Sequence, residues 1–340
     1  MRKWNGYQKG VNLGGWLSQA ELTDEHCRSF IKRSDIENIR GMGFDHLRLP
    51  VDYNLVQNET GEFREDGFDY IDRCIQWCGE LGLNMILDLH KTAGFSFDEG
   101  GTDFFHSERL ILQFISLWSR FAQRYGRFSG RLAFELLNEV VDEADNEPWM
   151  KIAERTVREI RRYAPDIKIL IGGYMNNSVT AVSRISPPFD ENIIYNFHCY
   201  EPLLFTHQGA YWIKGMPGSF RMEYPVGKTE FLERSESISA EIERFENKIP
   251  DSGFSAEYFE RLFSDALKTA EERGVMLYCG EYGVIELADG ASALNWYRDI
   301  HSVLEKYGIG RALWCYKGKD FGLTDGMLSE IKDEILGLSA

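Results

Sequence analysis

Short apolar runs alternate with amphipathic stretches along this chain from one end to the other. The runs at 10–17 (GVNLGGWL), 44–51 (FDHLRLPV), 83–91 (LNMILDLHK) and 132–140 (LAFELLNEV) read as strands. So do 167–174 (IKILIGGY), 192–200 (NIIYNFHCY), 275–284 (VMLYCGEYGV) and 310–317 (GRALWCYK). Each is brief and β-prone, as a strand covered on both faces should be. Between them apolar residues recur at threes and fours, which predicts helices over 70–81, 108–125, 147–163, 256–273 and 291–307. Gly43, Gly82, Gly274 and Gly308 each stand just before the next strand, where a left-handed residue ends a helix.

Eight strands separated by helical stretches predict an α/β fold, a closed (β/α)8 TIM barrel, over an open doubly wound sheet. No G-x-G-x-x-G follows a strand, so the dinucleotide-binding alternative lacks its fingerprint. Residues 1–340 are expected to form one catalytic barrel domain, because such barrels run past about 250 residues as a single unit. One segment breaks the rhythm. Residues 201–254 separate the sixth strand from its helix, against a usual connection of about 2–6 residues. The segment holds Phe205, His207, Tyr211, Trp212, Phe220 and Tyr224, then a charged, helix-like run near 235–247. Its aromatics point to a folded insertion, a lid or subdomain in the connection after strand 6.

Composition narrows the partner. The chain carries 38 basic and 54 acidic residues, a formal net charge of -16, with 14% aromatic residues. Nucleic acid and anionic membrane surfaces need clustered Lys and Arg, so neither is expected as a partner. An acidic, aromatic-rich chain suits a neutral ligand such as a sugar, whose C–H faces stack on rings while carboxylates and amides take its hydroxyls. No stretch approaches the 18 or so apolar residues of a membrane span. The basic start MRKWNGYQKG lacks the apolar run of a signal peptide. Cys27, Cys74, Cys78, Cys199, Cys279 and Cys315 match no zinc spacing, and Cys74 and Cys78 share a helix face. Reduced cysteines and a cytoplasmic location are the expectation, with a monomer as the working form.

Polar residues gather toward the C-terminal ends of the predicted strands, where barrel enzymes place their sites. They are Arg48 on strand 2, His90 on strand 3, and Asn138 with Glu139 on strand 4. Strand 6 contributes His198 and Tyr200, strand 7 Glu281 and strand 8 Trp314. His198 and Tyr200 are two apart, so a pleat turns both to one face. Singly, each has a bland reading: a Glu at a strand end is often just solvated, and Arg48 fits a structural ion pair. Together they converge on one rim. Carboxylates on strands 4 and 7 oppose each other across a barrel mouth, as a retaining glycosidase requires, with carboxyls about 5–5.5 Å apart. One must stay protonated to donate to the leaving oxygen, and the other ionised to attack the anomeric carbon. Cations and hydroxyl donors favour the ionised form, so the nucleophile is expected beside Arg48 and Tyr200. Spacing alone does not assign the roles.

VNLGGW at 11–16, HLRLP at 46–50, LDLH at 87–90, LLNEV at 136–140, NFHCY at 196–200, CGEYG at 279–283 and LWCYK at 313–317 occur in order over nearly the whole chain. In these the chain resembles glycoside hydrolase family 5, and most of all compact bacterial endo-β-glucanases with a long insertion after strand 6. The resemblance implies Glu139 as general acid/base and Glu281 as nucleophile. It implies Asn138 on the sugar 2-hydroxyl, and His90 and His198 along the -1 subsite. It implies Arg48 and Tyr200 holding Glu281, and Trp314 as stacking floor. No metal and no organic cofactor are implied. Asp88, His90, His198 and Glu281 superficially suggest a metal hydrolase, but no H-x-H or H-E-x-x-H spacing supports it. Lys91 stands where family endoglucanases often carry a second His, a departure at the negative subsites.

Five further residues are substrate-binding candidates. Trp16 is equally a core residue or a sugar platform. Asn176 (beside Asn177) sits in an ordinary turn pair, and Phe205, His207 and Trp212 lie in the insertion, where a small lid core is the competing reading. Trp77, Trp118, Trp149 and Trp296 fall in helix patterns and are expected to pack. The implied activity is an endo-acting β-1,4-glucanase on soluble cellulosic or mixed-linkage glucans, with a β-linked oligo- or polysaccharide as partner. Its rivals are an exo-acting β-glucosidase, β-1,3-glucanase or β-mannanase of the same family, and a non-catalytic carbohydrate-binding barrel, which would be expected to lose one paired carboxylate.

Overall fold

The structure is a computed structural model that describes residues 2–338. Eight parallel strands close into a barrel in chain order: β1 (Lys9–Asn12), β2 (His46–Asp52), β3 (Asn84–Lys91), β4 (Leu132–Glu135), β5 (Lys168–Gly172), β6 (Ile193–His198), β7 (Met276–Tyr282) and β8 (Gly310–Leu313), with β1 pairing both β2 and β8. The expected (β/α)8 barrel is therefore the observed fold. Several strands are shorter than the apolar runs that predict them. The residues past each ladder end swing out as the loops that bear the cleft.

Helices Glu65–Leu81, Glu108–Tyr125, Asn146–Arg161, Ala256–Arg273 and Gly290–Tyr307 match the periodic stretches within a few residues. Gly82, Gly274 and Gly308 end three of them with φ of 69°, 65° and 69°, the left-handed turn that glycine adopts without a Cβ penalty. Among the described helices of nine residues or more, Arg33–Gly41, Lys228–Glu236 and Gly326–Gly337 escape the periodic reading. Between β5 and β6 a single kinked turn at Tyr174–Asn177 and the 3-10 segment Val179–Arg184 stand where a full helix would.

Strand alternation sorts the barrel into layers. Outward residues such as Leu47, Leu49, Leu87, Leu89, Phe134, Ile169, Tyr195 and Phe197 join the large core shared with the helices. Inward residues Ile86, Ala133, Leu170, Ile194, Met276, Tyr278 and Ala312 form a separate cluster closed by Trp4 and Tyr7, whose rings stack at 3.8 Å. Above it the interior turns polar, with Asn12, Arg48, Asp88, Glu135 and Asn196 all fully buried. The barrel is thus greased at one end and charged in the middle, just below the cleft.

Residues 201–254 contain one turn of helix at Leu203–Thr206 and a helix at Lys228–Glu236. The charged run 235–247 is not the helix its composition suggests: Ser235 and Glu236 only end the helix Lys228–Glu236, and Glu246–Lys248 coils as a 3-10 turn. The Ser237 hydroxyl bonds Arg234 O just past that helix, and Ile238, Ile242 and Phe245, although helically spaced, pack against the core from irregular backbone. Phe205, Tyr224, Phe231 and Phe254 are buried against one another and Tyr258, with Phe231 and Phe254 4.7 Å apart. All six cysteines are free and buried, and no helix among the described residues is long and apolar enough to cross a membrane.

The β6–β7 ladder slips by one residue, pairing Phe197 with Cys279 but His198 with Glu281. Gly280 occupies the extra position, and a Cβ there would lie 2.7 Å from Asn196 Oδ1 and 3.1 Å from His198 Nε2. Gly280→Ala is expected to destabilise the fold by about 1–3 kcal/mol through overpacking, read as a lower midpoint in chemical denaturation. An unchanged midpoint would mean that the barrel interior yields more easily than this crowding implies.

Candidate active site

The site is built on one guanidinium. Arg48 lies inside the barrel, fully buried, with further β2 residues beyond it. Its Nε and Nη2 donate to the two Glu135 oxygens at 2.7 and 2.8 Å, a bidentate fork. Nη1 donates to Glu281 Oε1 at 2.7 Å and to Asn12 Oδ1 at 3.0 Å. Nη2 also reaches Asn138 Oδ1 at 2.9 Å and Asp88 Oδ2 at 3.0 Å. Burial works against the Arg48 charge, but Asp88, Glu135 and Glu281 outweigh it, and its pKa rises well above the ordinary value. Burial dominates at Asp88, whose carboxyl is pushed up to about 7 despite Arg48.

Glu281 accepts from Arg48 on Oε1 and from the Tyr200 hydroxyl on Oε2 at 2.9 Å. The phenol remains a donor, because burial and then the Glu281 charge raise its pKa well above the usual range. Glu139 sits past the end of β4, where the Asn138 N–H bonds Leu89 O at 3.0 Å and holds the chain to β3. Its Oε1 lies 2.7 Å from His198 Nδ1, and its Oε2 accepts from Asn176 Nδ2 at 3.0 Å. Burial pushes the Glu139 carboxyl up to about 7. Burial also drops His198 to about 4, so the ring is neutral near pH 7. One oxygen of each carboxyl and a ring nitrogen of His198 all lie within 4.8 Å of one another. Two acids in contrasting surroundings, one proton-holding and one hydrogen-bonded by a cation, can divide acid and nucleophile roles.

The three groups converge closely enough to suggest a cation site. Yet both Glu281 oxygens and His198 Nδ1 already have partners, and a guanidinium sits against the same carboxylate, so the set fits proton transfer better.

Glu139, Glu281, His90, His198, Tyr200 and Trp314 share the wall of one cleft of about 1680 Å³. Trp314 stacks parallel to His90 at 5.8 Å, and His90 Nδ1 lies 2.6 Å from Asp88 Oδ2. Arg48 and Asn138 lie behind this wall. Arg48, expected among substrate contacts, is sealed in the barrel and acts through Glu281 and Glu135. Asn138 keeps Nδ2 without a partner among the described residues.

The insertion candidates divide. Trp212 is 44% exposed on the cleft, edge-on to Tyr211 at 4.8 Å, while His207 packs against Tyr200 at 5.1 Å and also lines the cleft. Phe205 is buried against Tyr224 at 5.3 Å and does not reach the cleft, so it belongs to the insertion's own core. Trp16 is likewise no sugar platform: its indole N–H bonds Cys27 O at 2.8 Å and its ring stacks on Trp77 under the rim. Asn176 lines the cleft, and its amide is spent on Glu139. Lys91 pairs with Asp98 at 2.9 Å and Glu99 at 3.1 Å in the loop after β3.

Sequence reasoning missed Glu135, Asn12, Asn196 and Phe321. Glu135 and Asn196 (Nδ2 to Glu135 Oε1, 2.8 Å) complete the shell around Arg48, and Phe321 packs on Tyr200 and His207 at the cleft wall. The first three are polar residues within otherwise apolar strands, a signal that becomes readable only once the inward phase is known.

Comparison with known proteins bears on the family of the chain. Residues 5–320 match the profile described as cellulase, glycosyl hydrolase family 5. Cellodextrinase A of Ruminococcus flavefaciens is 44% identical over 313 residues, covering 92% of this chain and 86% of that protein. Endoglucanase C of Acetivibrio thermocellus is 36% identical over 342 residues, 98% of each. Among solved structures, the clostridial cellulose synthase subunit Z of Clostridioides difficile aligns with a TM-score of 0.77 over 98% of this chain and 99% of that one, at 23% identity, a likeness of fold alone. The chain belongs to glycosyl hydrolase family 5, the cellulase family.

Proposed function

We propose that this chain is a retaining, endo-acting β-1,4-glucanase on soluble cellulosic or mixed-linkage glucans, with Glu139 as general acid/base and Glu281 as nucleophile. The observation that carries this reading is the carboxyl pair at the barrel mouth, oxygens within 4.8 Å, in opposite electrostatic settings. That separation suits the about 5–5.5 Å of a double displacement and leaves no room for the extra water of an inverting one.

In the first step a Glu281 oxygen bonds the anomeric carbon while the bond from that carbon to the leaving oxygen breaks. Glu139 gives its proton to that oxygen. In the second step water attacks the same carbon, its proton passes to Glu139, and the bond to Glu281 is released. Arg48 and Tyr200 hold the two Glu281 oxygens, so the nucleophile approaches in one orientation. The family resemblance assigns the sugar 2-hydroxyl to Asn138, whose unpartnered Nδ2 lies behind the cleft wall. Trp314, backed by His90, is the stacking floor.

The groove supports action inside chains, being long enough to be lined by the loop after β3 at one flank and by Trp212, Glu241 and Phe245 of the insertion at another. One relative is named a cellodextrinase and another an endoglucanase, so both short and long β-glucans are natural first substrates. Residues 201–254 act as a cleft-walling subdomain, the single-barrel range 1–340 includes Met1, Ser339 and Ala340 outside the described residues, and the six free cysteines support a reducing, cytoplasmic setting. A monomer and a neutral sugar partner, without nucleic acid or membrane, remain our reading at a net charge of -16.

Viscosity and reducing ends followed together on carboxymethyl cellulose, barley β-glucan, laminarin and mannan test this. A rapid viscosity loss on the β-1,4-linked glucans is expected. Slow loss with only glucose or cellobiose released would make the enzyme exo-acting. Glu139→Gln should lower kcat on substrates with poor leaving groups by about 10²–10⁴-fold. Glu281→Ala should abolish turnover, with added azide restoring an inverted product, and full activity in either variant would end the assignment. The acid must be protonated in the free enzyme, so kcat/KM should fall about tenfold per pH unit above a limb near the Glu139 value of about 7. A limb near pH 4–5 would contradict the buried acid, that being roughly where an exposed Glu titrates.

A further inference from the structure

Three consecutive non-glycine residues beside the acid/base hold left-handed backbone: Met175, Asn176 and Asn177, with φ of 54°, 53° and 55°. Such a run is uncommon outside glycine, and Asn tolerates it better than most residues. Its position is fixed from both sides. The Met175 N–H bonds Val141 O and the Asn176 N–H bonds Val140 O, each at 3.0 Å, tying the turn to the chain just after Glu139. The Ser178 N–H closes the turn on Met175 O at 3.0 Å, and Ser178 pairs with His198 as an isolated parallel bridge. The two residues that touch the Glu139 carboxyl, Asn176 and His198, are therefore held to one another through backbone.

Each takes a different oxygen: Asn176 Nδ2 donates to Oε2 at 3.0 Å, and His198 Nδ1 lies 2.7 Å from Oε1. An amide N–H has only a proton to offer, so Oε2 is a standing acceptor in both charge states of the carboxyl. We infer that Asn176 is a positioning residue of the acid/base: its amide holds Oε2 as an acceptor in both charge states, fixing the carboxyl in the cleft and favouring the anion left after donation. This rests on the assignment of Glu139 as acid/base.

The other groups that act on Glu139 are accounted for. Arg48 from β2 favours its ionised form, whereas Asp98 from the loop after β3 and Glu135 from β4 oppose it. Asp88 on β3, Tyr200 after β6 and Glu281 on β7 complete the surroundings. Among the non-titrating groups Asn176 is the hydrogen bond that favours the anion, partly offsetting burial. An amide also does this at every working pH, which a carboxyl or imidazole in its place would not.

The test uses Asn176→Gly, which removes the amide while tolerating the left-handed φ, and Asn176→Asp, which keeps the shape but puts an acceptor where the donor was. Loss of the donor leaves the Glu139 anion less favoured, so the proton is held to higher pH. The alkaline limb of kcat/KM is expected to move up by about one pH unit in Asn176→Gly, and at least as far in Asn176→Asp, with KM changed less than about twofold. Glu139→Gln runs in parallel. If the limb persists in Glu139→Gln, the acid/base assignment itself fails. If it vanishes there but stays in place in both Asn176 variants, the assignment stands and the positioning role is overturned. A raised KM with an unmoved limb would instead make Asn176 a sugar contact, which also overturns it.

Discussion

The whole site depends on keeping a fully buried guanidinium charged. Arg48 draws Glu135, Asp88, Asn12, Asn138 and Glu281 onto its three nitrogens. A buried charge is tolerable only when every donor is satisfied, and breaking one such pair typically costs about 3–5 kcal/mol. Against a typical net folding stability of about 5–15 kcal/mol, that is a large fraction. The network is therefore a poor place to look for stability gained and a good place to look for function. A hydrophobic filling of the same layer would pack as well, but it would leave Glu281 with no fixed partner.

The same guanidinium explains why two carboxyls a few ångströms apart differ in character. Glu281 accepts a charged donor and a phenol, whereas Glu139 accepts a neutral amide and faces a neutral imidazole. Distance from the cation, more than burial, separates them, since both are buried. Glu135 matters here although it never meets the cleft. By taking both ends of the Arg48 fork, it leaves the third nitrogen facing Glu281. An Arg that paired with Glu281 bidentately would hold the nucleophile too firmly to let it leave for the anomeric carbon.

The barrel was legible because parallel strands buried on both faces must be short and apolar, and the helices between them must carry a stripe. The rim residues were legible because polar side chains at the ends of such strands have few structural uses. What stayed hidden follows from the same logic. Glu135 lies in the interior phase of LAFELL, and a single sequence does not announce which phase points inward. Trp16 and Phe205 stay open between platform and core in the sequence because an aromatic near a rim looks alike whether it faces sugar or core. Only packing decides, and Trp77 and Tyr224 decide against them. The 235–247 run shows local pattern failing: Ile238, Ile242 and Phe245 carry helical spacing, yet they reach the core from irregular backbone.

The two carboxyls are also mounted differently, and the difference suits their work. Glu281 rides on β7 at a ladder slip that pairs it with His198, with Gly280 beneath it too crowded for any side chain. Glu139 stands on chain that has already left the ladder and is steadied by a neighbouring turn. A nucleophile forms and breaks a bond to carbon along one line, so a rigid strand is an advantage. An acid/base gives its proton to the leaving oxygen and takes one back from a water that attacks from the same face, in the place that oxygen has vacated. One position therefore serves both transfers, and loop backbone suffices for it because a separate side chain holds each Glu139 oxygen.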